Sequence, residues 1–134
     1  MDADIVATKL ESLRRCVTRV AVRCPETADA LALDVDAQDI VALNLSRAVQ
    51  LCVDLALHRL SASGQAVPAT MGGAFDALAA TGLLDATLAN RMKSAVGFRI
   101  LAVHQYDAMD WNIVHTICTK HLDDFRAFAR AVGT

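Results

Sequence analysis

Near the start of the chain, Val6, Leu10, Leu13, Val17 and Val20 recur at steps of four, three, four and three. That period is helical, and the stripe it makes is narrow, suited to packing against one or two other helices. It predicts a helix from about Ile5 to Arg23, stopped before Pro25, whose ring cannot continue a helix. Arg15, Arg19 and Arg23 stack at intervals of four on the opposite face.

Residues 24–36 read as a connector rich in Asp and Ala. A second helix is expected from an N-cap at Asp36 to about Leu60, closed by Ser61-Ala62-Ser63-Gly64. Ile40, Val41, Leu43, Leu45, Val49, Leu51, Cys52, Val53, Leu55 and Leu57 surround nearly its whole circumference. A helix apolar on so many sides is buried on more than one face, and one face is assigned to a second subunit, most simply in a two-fold dimer. Gln65–Gly73 reads as a loop, followed by a short helix from Ala74 to Ala80 that Gly82 closes. A further helix opens at Asp85 and runs toward His104, with Gly97 as a weak point, and residues 107–110 break the pattern. Asp110 then caps a last helix carrying Trp111, Val114, Cys118, Phe125, Phe128 and Val132 on one stripe. The expected fold is all-α, an up-and-down bundle of four long helices and one short one, with residues 1–134 as a single domain.

Composition narrows the classes. The chain is 54% hydrophobic and 4% aromatic, enough apolar surface to exclude disorder and too little aromatic content for a β-sandwich. A net charge of −2 argues against a nucleic-acid coat, which is usually basic. No run of eighteen uncharged apolar residues occurs, so no membrane span or membrane partner is expected. The acidic start lacks the basic and then apolar regions of a signal peptide. Cys16, Cys24, Cys52 and Cys118 form no Cys-x-x-Cys pair and read as buried apolar residues. The expected setting is the cytoplasm.

Among candidate sites, His121 falls on the apolar stripe of the last helix and reads as a partly buried structural residue; with Asp124 it offers only two metal ligands. His58 and His115 have no evident partner in the sequence. No metal site and no cofactor motif emerges. One stretch differs: between Asp85 and Asp107 the chain carries Arg91, Lys93 and Arg99 and no acidic residue. It continues Gly97-Phe98-Arg99-Ile100-Leu101-Ala102-Val103-His104-Gln105-Tyr106. Arg99 presents a planar fork of donors suited to phosphate, and a histidine ordinarily titrates near neutrality. On a continuous helix Arg99 and Tyr106 share a face, whereas His104 points about 140° from Arg99. Either the helix distorts, or His104 meets an Arg99 from another chain. A two-fold dimer would bring two copies of each into one cleft.

Gly97-Phe98-Arg99, then His104 and Tyr106, resembles the R-x4-H-x-Y motif of HepT-like toxins in the HEPN ribonuclease superfamily. The likeness extends to Asn44–Gln50, to Phe75–Leu78 with Gly82-Leu83-Leu84, and to Leu122–Phe125, and spans about residues 5–132. It implies a dimeric, metal-independent endoribonuclease in a toxin–antitoxin pair. Arg99 and His104 would be catalytic, Arg99 holding the scissile phosphate and His104 moving protons, with a cyclic phosphate and a free 5′-hydroxyl as products. Arg91 and Lys93 would bind RNA, and no DNA partner is expected. Tyr106 would be the residue that an MntA-type nucleotidyltransferase antitoxin modifies with AMP. The sequence departs from the family at Ile100, where a polar residue, most often Asn, usually follows the motif arginine. That departure keeps a second reading open, a non-catalytic adaptor that binds nucleotide or a nucleotidyltransferase through the same cleft.

Overall fold

The computed structural model describes residues 2–133. Among them are seven α-helices: α1 (Asp2–Arg23), α2 (Ala28–Leu33), α3 (Val35–Ala62), α4 (Met71–Ala80), α5 (Ala86–His104), α6 (Trp111–Lys120) and α7 (Leu122–Val132). A single 3-10 turn, Tyr106–Ala108, joins α5 to α6, and no strand occurs among the described residues. The all-α expectation holds, but with seven helices among the described residues in place of five: the connector after α1 adds one, the last helix divides in two, and the other differences lie at helix ends.

The connector after α1 contains a helix of its own. Thr27 caps it by accepting from the Ala30 N–H, and Leu31 plugs it into the core at full burial. Asp34 then ends α2 and starts α3: its N–H donates to the Leu31 carbonyl, and its carboxylate accepts from the Ala37 N–H at 3.0 Å. The N-cap of the long helix is therefore Asp34, not Asp36, and satisfies a donor that the first turn leaves orphaned.

α4 begins three residues before its expected start, with Gly72 and Gly73 inside its first turn. Thr70 accepts from the Gly73 N–H at 3.0 Å. A Cβ on Gly73 would stand 2.9 Å from that same Thr70 oxygen, so the glycine permits the cap. Gly97 causes no break in α5. The last helix is two: His121 leaves helical geometry (φ −121°, ψ 6°), and α7 restarts with Asp123 and Asp124 in its first turn. Carboxylates there complement the positive end of a helix dipole. The stripe survives the break, since Val114, Cys118, Phe125, Phe128 and Val132 are all buried.

α3 is the axis of the bundle and packs against α1, α2, α4, α5 and α7. By length and composition it could cross a membrane, yet 56% of its most apolar window is buried in the bundle. Its apolar girth serves helix packing: Val41, Leu45, Val49, Cys52, Val53 and Leu55 are buried, while Leu43 remains 58% exposed. Phe75 of α4 meets Phe128 of α7 edge to face, with centroids 5.5 Å apart. The four cysteines are free, three buried and Cys24 half-buried. Burial pushes all four thiols above their ordinary pKa, which keeps them protonated and unreactive near neutral pH.

Candidate functional site

α5 starts from Asp85, whose carboxylate accepts from the Leu88 N–H at 2.7 Å, and continues without interruption to His104. Arg99 and His104 therefore share one regular helix, about 140° apart around its axis. Arg99 is half-buried and His104 exposed.

Tyr106 is not on that helix. Gln105 adopts φ −140° and ψ 52°, its N–H closing on the Leu101 carbonyl at 2.8 Å. The chain then folds into the 3-10 turn, with the Met109 N–H returning to the Tyr106 carbonyl at 3.1 Å. The shared face expected for Arg99 and Tyr106 does not form, because it required a helix that continued past His104. The turn instead swings the phenol back onto α3, where its hydroxyl donates to the Asp39 carboxylate at 2.7 Å. Trp111 meets the ring edge-on, with centroids 5.8 Å apart at 76°. Burial, and then the bond to Asp39, push the Tyr106 pKa above its ordinary value.

The run of unopposed cations in the sequence is opposed in three dimensions. Arg91 pairs with Asp124 of α7 at 3.3 Å and Lys93 with Asp76 of α4 at 3.0 Å. Arg99 is the one cation of α5 with no ion pair or hydrogen bond among the described residues. Both paired cations are exposed. Asp124 also takes a 3.5 Å contact from His121 Nδ1. His121 stands at the joint between α6 and α7 with a side chain 44% exposed, more open than its place on the stripe suggested. His115 does have a partner: its Nε2 lies 2.9 Å from the Pro25 carbonyl, tying α6 to the connector between α1 and α2. No cluster of three or more His, Cys, Asp or Glu side chains suited to a metal ion occurs among the described residues.

A cavity of about 670 Å³ opens between α5 and the α6–α7 pair. Its wall is mainly apolar, with Phe98, Leu101, Ile113, Ile117 and Phe125 prominent, and Arg91 reaches it while Arg99, His104 and Tyr106 do not. Arg99, His104 and Tyr106 lie outside this cavity, at the C-terminal end of α5 and the turn after it.

Residues 8–132 match the family model for HepT-like ribonucleases. The chain belongs to that family. It is 31% identical over 125 residues, 93% of each chain, to the mRNA nuclease HepT of Shewanella oneidensis. Solved structures of toxin–antitoxin complexes share its fold. One, with AMP-PNP, superposes with a TM-score of 0.91 at 29% identity, covering 96% of this chain and 97% of the other. Another is the tri-AMPylated HEPN toxin of Shewanella oneidensis with its MNT antitoxin, at a TM-score of 0.90, 30% identity and 96% coverage of both. In this HepT-like ribonuclease, Arg99 and His104 lie on one helix and Tyr106 on the turn after it.

One neighbour of that motif was not visible in the sequence. Asp39 lies 67 positions from Tyr106, and no local spacing could have joined them.

Proposed function

We propose that this HepT-like ribonuclease is the toxin of a toxin–antitoxin pair, cutting RNA without a metal in a cleft shared by two copies of the chain. A nucleotidyltransferase antitoxin silences it by adding AMP to Tyr106, and both act in the cytoplasm. The observation that carries the reading is Arg99, without a carboxylate partner among the described residues, on the same undistorted helix as an accessible His104. Since the helix does not bend to bring the two together, the pairing falls to a partner subunit. Exposed apolar residues beside the motif support that partner: Ile100 is 47% and Val103 55% exposed. Leu43, one turn along α3 from Asp39, adds to them.

In such a cleft His104 removes the proton from the ribose 2′-hydroxyl as its oxygen attacks the adjacent phosphorus. A second histidine, or the same one once charged, protonates the departing 5′-oxygen. Arg99 holds the non-bridging oxygens and offsets the charge that builds on them. The products are a 2′,3′-cyclic phosphate and a free 5′-hydroxyl. Arg91 and Lys93 extend the phosphate path, each exchanging its carboxylate for an RNA phosphate. A tyrosine carrying AMP adds bulk and negative charge beside this path, which repels RNA. The tri-AMPylated relative in complex with its antitoxin supports this mode of control.

The test is cleavage of RNA by the purified chain in excess chelator. Wild type should cut, and His104→Ala should lose at least about 100-fold in rate with an unchanged circular dichroism spectrum. Equal cleavage by the variant would overturn the mechanism.

A further inference from the structure

The Tyr106 hydroxyl rests on the Asp39 carboxylate at 2.7 Å, a short bond between an accessible acidic side chain and the atom that AMP transfer must activate. Trp111 packs on the same ring and limits how it turns. A phenol is a poor nucleophile while it keeps its proton, and burial here holds the proton on more firmly than usual. Free phenolate is accordingly scarce near neutral pH, so the proton has to leave as the new bond forms.

We propose that Asp39 is the general base for modification of Tyr106, so that the toxin supplies a catalytic group for its own silencing. The inference rests on the reading of Tyr106 as the AMP acceptor. The phenol oxygen attacks the α-phosphorus of a nucleoside triphosphate, and a phosphorus–oxygen bond forms. The bond to the departing pyrophosphate breaks, and the phenolic proton passes to Asp39, which later returns it to solvent. A carboxylate that accepts the proton of an attacking hydroxyl is a recurrent device in phosphoryl transfer. The product fits the same geometry. Esterified Tyr106 no longer has a proton to donate, and its new phosphate would stand against the Asp39 carboxylate. The modified ring is thereby pushed off α3 toward the path of RNA.

The experiment follows AMP addition by intact mass, using the full-length chain, a nucleotidyltransferase antitoxin of the MntA kind and ATP. The variants are Asp39→Asn, which keeps an acceptor oxygen but takes no proton, and Tyr106→Phe. Because the sequence has one tyrosine, growth on a fluorinated tyrosine changes the acidity of this phenol alone. Asp39→Asn should slow the first addition by about 100-fold or more, and fluorination should recover much of that loss in the variant while changing wild type little. Equal rates for wild type and Asp39→Asn would overturn the base role and leave Tyr106 as acceptor. A slowed variant that fluorination does not rescue would also overturn it, since Asp39 would then only hold the ring. No adduct on wild type, or an undiminished one on Tyr106→Phe, would overturn the acceptor assignment and this inference together.

Discussion

At the scale of single residues, the molecule is organised by which polar groups find partners. Asp124 occupies Arg91, Asp76 occupies Lys93, and Asp39 occupies Tyr106, whereas Arg99 has no such contact among the described residues. A guanidinium without a carboxylate can take up a phosphate with nothing to displace. Arg99→Lys keeps the charge but not the fork of donors, and should cut RNA at least about tenfold more slowly, as expected where bidentate geometry matters. A gel assay with labelled RNA reads this directly. The phenol gives a second prediction. Its pKa is raised by burial and by Asp39, so the neutral form is favoured in the folded state. Stability from this group is fully present below the ordinary tyrosine pKa near 10, and falls as pH rises through the raised value. An ultraviolet titration of the one tyrosine should show phenolate appearing later than in free tyrosine, and Asp39→Asn should move it back.

At the scale of elements, the apolar periodicity carried most of the information. The stripe of α1 and the girth of α3 predicted most of what is buried, Leu43 being the clear exception, because burial of one face must repeat at the helical period. Helix ends were less legible, since several residues compete to cap and only tertiary packing selects among them. The sequence pointed to Asp36 as the cap of the long helix, and the short helix that buries Leu31 places the cap at Asp34 instead. Gly72 and Gly73 looked like loop until Thr70 capped them into a helix. The break at His121 was hidden because the stripe runs through it unchanged. The site was legible as a motif, but not as charge: the carboxylates that face Arg91 and Lys93 come from other helices. Two substitutions test the account of α5. Asp85→Ala removes its N-cap and should cost about 1 kcal/mol. At Gly97 a Cβ would meet nothing within 4 Å, so Gly97→Ala should stabilise by about 1 kcal/mol through helix propensity. Urea unfolding followed by circular dichroism measures both. Phe128→Ala, which empties a fully buried site against Phe75, should cost about 3–5 kcal/mol.

At the scale of the molecule, a net charge of −2 describes the average surface and not the motif. The ion pairs of Arg91 and Lys93 make the local balance less basic than the sequence suggested, and leave Arg99 as the principal attraction for a phosphate. A site in which Arg99 is the one cation of α5 without an ion pair among the described residues gains most from doubling. The proposed doubling would also cover the accessible apolar side chains of Ile100 and Val103 beside the motif. Light scattering should give twice the chain mass at micromolar concentration, and Val103→Glu should shift it toward the single chain, because a buried unpaired charge opposes association.

The most direct measurement mixes two inactive proteins. Arg99→Ala and His104→Ala are each purified, unfolded together and refolded in equal amounts, and RNA cleavage is measured in chelator. If Arg99 of one copy serves His104 of the other, a mixed dimer holds one intact site. Random pairing should then restore about a quarter of wild-type activity. No recovery, with mixed dimers demonstrated by mass, would contradict a site in which one Arg99 and one His104 from different copies suffice.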